Sequence, residues 1–324
     1  MIRKLSVVQE ESYDPYHNLA VEQTLMETVR PDECILYLWQ NQKTVVIGRN
    51  QNAWRECRAE ALSNDGGQLA RRLSGGGAVY HDLGNLNFTF LLHKENYDLS
   101  RQLNVILEAC RILEIPAERS GRNDIVTNGR KFSGNAFYTQ GERSYHHGTL
   151  LLDVDTANMG RYLNPSTAKL AAKGIASVRS RVINLKELCP GLTISFLQMV
   201  LMEAFSHVYG LSPHLIQCGA PERVAELTKR NASWDWLYGQ PLPFTCACEA
   251  RFSFGELRVE FQVKSGLIYD ARVYSDAMDW DFAAPLQTRL IGCRFDSIAL
   301  EKRLCSFPLC DELLTLFRTQ LFSL

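Results

Sequence analysis

The chain has 324 residues, 46% hydrophobic and 22% charged, with 35 basic and 36 acidic side chains. That length suits one large domain or two unequal ones with a sizeable core, and a net charge of −1 argues against a uniformly basic nucleic-acid binder. No run nears the roughly 18 apolar residues of a membrane span, and the N-terminal MIRKLSVVQEESYD lacks the form of a signal or transit peptide. The expectation is a cytoplasmic monomer with neither membrane nor nucleic-acid partners.

Asp14-Pro15 is a helix start, since Asp can cap and Pro suits the first helical position. Leu19, Val21, Leu25, Met26 and Val29 then fall on one helical face. Cys34–Trp39 and Lys43–Gly48 read as strands, Leu86–Leu92 as a third, and Leu99–Leu113 as a helix. Asn128-Gly129, set between DIVT and KFSGNA, is a hairpin turn that should bring Asp124 and Lys131 together on neighbouring strands. Ser144–Asp153 is another strand, on which His146 and His147 must face opposite sides. Thr193–Tyr209 has the spacing of an amphipathic helix. Two prolines and a glycine in Gly239–Thr245 mark a linker, after which Leu257, Val259, Phe261 and Val263 alternate as in a one-sided strand. Ser265-Gly266 turns the chain into a second strand, Leu267–Tyr274. The elements predict an α+β fold with mixed or antiparallel sheets flanked by helices, and domains at 1–244 and 245–324, the second a small α+β unit. A regular βαβ rhythm is missing. The ten cysteines form no metal-ligand cluster and are expected to be reduced and mostly in the core.

The chemistry concentrates in a few segments. Arg71–Asp82, RRLSGGGAVYHD, places three glycines after two arginines. Such a run can expose backbone N–H groups as a nest for phosphate or carboxylate, while arginine adds planar donors. It is neither a Walker loop nor a dinucleotide fingerprint. Ser120–Ala136 gathers Arg122, Asn123, Asp124, Arg130 and Lys131: the lysine is a compact charge suited to an α-phosphate or carboxylate, and the aspartate could hold Mg²⁺. Lys173–Arg181, KGIASVRSR, reads either as a solvated loop or as a flap over a nucleotide.

Together these stretches resemble the lipoate–protein ligase A family of the biotin/lipoate ligase superfamily, in its two-domain bacterial form. The resemblance runs through Ser12–Glu22, Thr44–Asn52, RRLSGGGAVYHD with LGNLNFTF, Gly121–Asp124 with Arg130–Ala136, His146–Leu152 and Lys173–Asn184. It implies ATP-dependent, Mg²⁺-assisted activation of lipoate to lipoyl-adenylate, with release of pyrophosphate. Transfer to a lysine of an acceptor lipoyl domain would follow, the acceptors being 2-oxoacid dehydrogenase E2 subunits and the glycine cleavage H protein. By the matching motifs, Arg71, Arg72, Ser74, Gly75, Gly76, Gly77, Ala78, Val79, Tyr80, Asn123, Asp124, Lys131, Ser180 and Arg181 would bind ATP or the adenylate. Ser74, Lys131 and His147 would bind lipoate, Lys131 would be the catalytic residue by charge and position, and Asp124 would be the Mg²⁺ ligand. Two departures stand out: the segment from GRND to the lysine is short, Ile125–Arg130, and the chain matches more loosely after about Gly210. The rivals are a transferase that uses preformed lipoyl-adenylate and a non-enzymatic lipoate-binding domain. An octanoyl transferase with a cysteine nucleophile is disfavoured, because no cysteine falls in the motifs.

Overall fold

Asp14 accepts a hydrogen bond from the Tyr16 amide, and Pro15 opens the first helix with its φ already helical. In the computed structural model of this chain, which describes all residues except 50, 122, 165–181, 240–243, 254, 276–281 and 323–324, that helix is α1, Pro15–Thr28. It lies between β1 (Lys4–Gln9) and β2 (Glu33–Trp39), and β3 (Thr44–Ile47) follows. Two short helices, α2 (Ala53–Glu56) and α3 (Ala59–Asn64), precede β4 (Gln68–Arg71), β5 (Val79–His81) and β6 (Asn85–His93). Then come α4 (Leu99–Ile112), β7 (Glu118–Ser120), β8 (Asp124–Thr127), β9 (Arg130–Gln140) and β10 (Arg143–Leu151). The helices α5 (Thr156–Tyr162) and α6 (Ile194–Tyr209) lead to β11 (Pro213–Leu215) and α7 (Pro221–Ala232). The chain ends with α8 (Trp234–Leu237), β12 (Phe244–Phe252), β13 (Gly255–Lys264), β14 (Leu267–Ser275), α9 (Ala283–Leu290), α10 (Ser297–Leu304) and α11 (Cys310–Leu321).

The chain divides into two compact units, Met1–Gln51 with Gly66–Ala232, and Asn52–Asp65 with Ser233–Leu324. The first is built on an eight-stranded sheet ordered β11-β1-β2-β6-β10-β9-β8-β7. Its β11–β1 and β1–β2 pairs are parallel and the rest are antiparallel, so the sheet is mixed. A smaller sheet, β4-β3-β5, carries the segments on either side of the glycine loop.

Strand alternation explains where the core and the polar groups go. Cys34, Leu36 and Leu38 of β2 and Leu86, Phe88, Phe90 and Leu92 of β6 join the cluster under α4 and α6. Ile35, Tyr37, Trp39 and Leu91 join a second cluster with α1 and α7 on the other face. A strand covered on both faces reads as a continuous apolar run, as these do. Helix α1 is buried at every position from Asn18 to Met26, not along one stripe, because β2, β4, β6, β10 and α7 surround it. Asn128 and Gly129 take φ of 50° and 72°, the turn that joins β8 to β9. Thr193 caps α6 through the Phe196 amide.

The second unit holds the antiparallel meander β12-β13-β14. Leu257, Val259, Phe261 and Val263 of β13 are fully buried, with α9, α10 and α11 supplying Leu286, Leu290, Leu300 and Phe317 to the same core. The fold is thus α+β with a small α+β unit at its C-terminal end. The ten cysteines form no disulfides; Cys34, Cys57, Cys110, Cys248 and Cys293 are buried, and Cys305 is exposed. Among the described residues, no helix is long and apolar enough to cross a membrane.

Candidate active site

The glycine loop leaves β4 and is fixed from below by Arg72. This side chain is buried, and its guanidinium donates from Nε to Ser74 Oγ at 3.0 Å and to Gly75 O at 3.2 Å. Nη1 donates to Val46 O, and Nη2 to Gly75 O at 2.8 Å and Gly77 O at 2.7 Å. Burial lowers its pKa to about 10, still above neutral pH, so the group is charged there. Arg71 is equally buried and donates from Nη1 to the carbonyls of Gly48, Arg49 and Gln51. Both arginines therefore shape backbone. Gly76 stands at φ 92°, a conformation glycine adopts without penalty. Gly48 packs so tightly on Gly76 O that a Cβ there would collide with it. The resulting loop presents Gly75, Gly76 and Gly77 to solvent; among the described residues, no atom lies within 4 Å of where a Cβ would stand on Gly75 or Gly77. Ala78 and Val79 are half-buried, and Tyr80 is buried with its ring 5.6 Å from that of Tyr162.

Ser74 ties the loop to the main sheet. Its Oγ lies 2.8 Å from His147 Nε2, and His147 Nδ1 lies 2.9 Å from Glu22 Oε1. Thr89 Oγ1 donates to the same carboxylate oxygen at 2.7 Å and receives Trp39 Nε1 at 3.1 Å. In the neutral ring Nδ1–H serves the carboxylate, so Nε2 accepts from the Ser74 hydroxyl. A carboxylate–imidazole–hydroxyl chain is also the order found around nucleophilic serines. Here, though, Ser74 is fully buried and already accepts from Arg72, so the chain is an anchor for the loop.

Lys131 stands on the same face of the sheet. Its Nζ lies 2.6 Å from Asp124 Oδ1, and both side chains are largely shielded. The tight β8–β9 hairpin makes this pair, with a register shift between Ile125 and Val126. Gly134 gives the lysine room: a Cβ there would lie 2.5 Å from Nζ and 2.8 Å from Cε. Asn123 is clasped to Asn135 by reciprocal bonds, Asn135 N to Asn123 O at 2.9 Å and Asn123 Nδ2 to Asn135 O at 3.2 Å.

Most of the expected residues thus converge: Ser74–Gly77, His147, Asp124 and Lys131 share one face of the sheet, with Asn123 at its rim. Ser180, Arg181 and the rest of the Lys173–Arg181 loop lie outside the described residues, as does Arg122. The sequence reading gave no role to Glu22, Gly48 or Gly134. Glu22 had a visible signal, an acid among Leu19, Ala20, Val21, Leu25 and Met26. The two glycines had none, since their need comes from chain segments distant in sequence.

The family described as lipoyl protein ligase A/B catalytic domain matches residues 14–206. The chain belongs to this family. The bacterial lipoate protein ligase C-terminus matches residues 242–324. Among solved structures, LipL1 of Plasmodium falciparum in complex with lipoate is 29% identical, over 96% of this chain and 98% of that one, with a TM-score of 0.64. A bi-partite lipoate protein ligase with its E2 lipoyl domain from Thermoplasma acidophilum is 24% identical, over 74% of this chain and 97% of that one, with a TM-score of 0.64. A lipoate–protein ligase A bound with ATP is 23% identical, over 74% and 99%, with a TM-score of 0.63. At those identities the last two likenesses show the fold alone. The match to the catalytic domain spans both the glycine loop and the lysine hairpin.

Proposed function

We propose that this chain joins lipoate to proteins in two steps, through lipoyl-adenylate. In the first, a lipoate carboxylate oxygen attacks the α-phosphorus of ATP and the bond to pyrophosphate breaks. In the second, the amine of an acceptor lysine attacks the acyl carbon, AMP leaves, and the amine gives up a proton. The acceptors would be lipoyl domains of 2-oxoacid dehydrogenase E2 subunits and the glycine cleavage H protein. The observation that carries the reading is Lys131 Nζ, held 2.6 Å from Asp124 on the sheet face that also bears the exposed Gly75–Gly77 loop.

The first step crowds a carboxylate against phosphate oxygens, and preorganised donors are the remedy. Lys131 would sit between the carboxylate and the α-phosphate, stabilising the charge that develops there, with no covalent link. The backbone N–H groups of Gly75–Val79 would line the adenylate. Arg72 acts from beneath, by fixing the carbonyls of Gly75 and Gly77 so that the loop faces outward. His147 and Glu22 hold Ser74 at the loop's root, beside the acyl group.

Mg²⁺ commonly binds through one or two carboxylates, with phosphates and water completing its shell. Among the described residues, no group of three or more His, Cys, Asp or Glu could hold a metal by itself. Asp124, a single shielded carboxylate on the site face, fits the lighter demand of a nucleotide-borne ion. When bound, the ion would supply charge neutralisation at the phosphates.

The test is paired. Wild-type protein should catalyse lipoate-dependent ATP–pyrophosphate exchange, and Lys131→Ala should lower it by about a thousandfold while the thermal midpoint stays near wild type. Transfer from synthetic lipoyl-adenylate without exchange would replace the ligase by a transferase. Failure of both would leave a binding protein.

A further inference from the structure

His146 is absent from the chemistry above, yet it is fully buried and both its ring nitrogens are engaged. It points away from its neighbour His147, to the α4 side of the sheet, and its ring packs among Phe88, Phe90 and Phe137. Nδ1 lies 3.1 Å from Gln102 Oε1, and Nε2 lies 2.8 Å from Asn135 Oδ1.

These contacts fix every hydrogen in the chain. Burial pushes the ring pKa down to about 3, so at neutral pH only one nitrogen carries a hydrogen. Asn135 Nδ2 already donates to Asn123 O at 3.0 Å, which leaves Oδ1 as the acceptor facing the ring. Nε2 therefore bears the hydrogen, and Nδ1 must accept. Gln102 then has to offer its NH₂ group. That amide nitrogen is otherwise buried without a partner, and turning the amide about gives it one. The side chain of Asn135 reaches His146 across Gly148, where a Cβ would lie 2.7 Å from Oδ1.

We propose that His146 is a positioning residue for the nucleotide site: it aligns Asn135, which grips Asn123 and so sets Asn123-Asp124 and the Asp124–Lys131 pair. Gln102 on α4 orients the imidazole, the imidazole orients the Asn135 amide, and the amide holds the Asn123 carbonyl. The chain runs from the helix layer to the rim of the site without touching ligand. This inference rests on the reading of Asn123, Asp124 and Lys131 as the adenylate site.

Two variants of His146 and one control test it. His146→Gln can donate to Asn135 and accept from Gln102 with one amide, whereas His146→Leu can do neither. Phe205→Leu trims the same core, beside Phe90, and removes none of the hydrogen bonds of the chain. His146→Leu should raise KM for ATP in the exchange assay about tenfold, with a smaller change in kcat. It should also speed hydrogen exchange of the Asn135 amide about tenfold. His146→Gln should restore both readouts even where its thermal midpoint stays below wild type. Phe205→Leu should lower the midpoint and leave both readouts unchanged. Equal effects from Phe205→Leu, or no recovery in His146→Gln, overturn the proposal. Absence of exchange activity in the wild type sinks the adenylation reading instead, and the Asn135 amide still decides whether His146 positions this segment.

Discussion

Arg72 and Lys131 both looked like cations for an anionic ligand, and the fold treats them in opposite ways. Arg72 is buried, and its guanidinium makes five hydrogen bonds, four of them to carbonyls of Val46, Gly75 and Gly77. Lys131 reaches Asp124 across a hairpin, over a glycine that leaves its ammonium space. A planar fork with several donors can set a loop's shape, whereas a point charge on a flexible stem can move from a carboxylate to a ligand. Two cations that look alike in a sequence can therefore differ in the fold, one holding a loop in shape and the other paired to a carboxylate.

That contrast can be broken by experiment. Arg72→Lys keeps the charge but cannot match the donor geometry, leaving carbonyls or Ser74 unpaired. It should cost about 3 kcal/mol of stability, with a thermal midpoint on the order of 10 °C lower, together with loss of exchange activity. An Arg72→Lys protein as stable as wild type would show that the guanidinium is not what holds the loop. Gly134→Ala should do the reverse. Its methyl group displaces the end of Lys131, so activity should fall about tenfold to a hundredfold while stability changes by less than about 1 kcal/mol. A large drop in midpoint with activity preserved would contradict that view of Lys131.

The smallest expected effect concerns pH. Burial lowers the pKa of both His81 and His146 from 6.5 to about 3. The unfolded chain takes up protons near 6.5 while the folded chain does not until about 3. Stability from these groups is thus present above 6.5 and is lost progressively as pH falls towards 3. Each should contribute on the order of 1–2 kcal/mol of the loss between pH 6.5 and 5, a window that lies above the carboxylate range. His146→Gln should therefore flatten the midpoint-versus-pH curve there. An unchanged slope would mean that the imidazole is not held neutral.

Much of this was legible in the residues. The Asp14-Pro15 start, the Asn-Gly hairpin, the amphipathic α6 and the β13–β14 turn are set by neighbours a few positions apart, through capping, turn dihedrals and periodicity. The exposed glycine loop and the Asp124–Lys131 pair followed from the same local rules, and the family resemblance supplied the acyl group's name. Local rules could not say that Glu22, buried in α1, would meet His147 at a separation of 125 residues, or that Gly48 would meet the loop backbone. Nor could they say which histidine faces which layer. Alternation puts His146 and His147 on opposite sides of β10, but pairing of β10 with β6 and β9 decides that one side is α4 and the other the glycine loop. Hydrogen-bond partners for buried polar groups come from whichever strands and helices the tertiary fold brings alongside. The sequence therefore determined the elements and the chemistry of the motifs, while only the packed structure decided which charge shapes the glycine loop and which is paired on the sheet face.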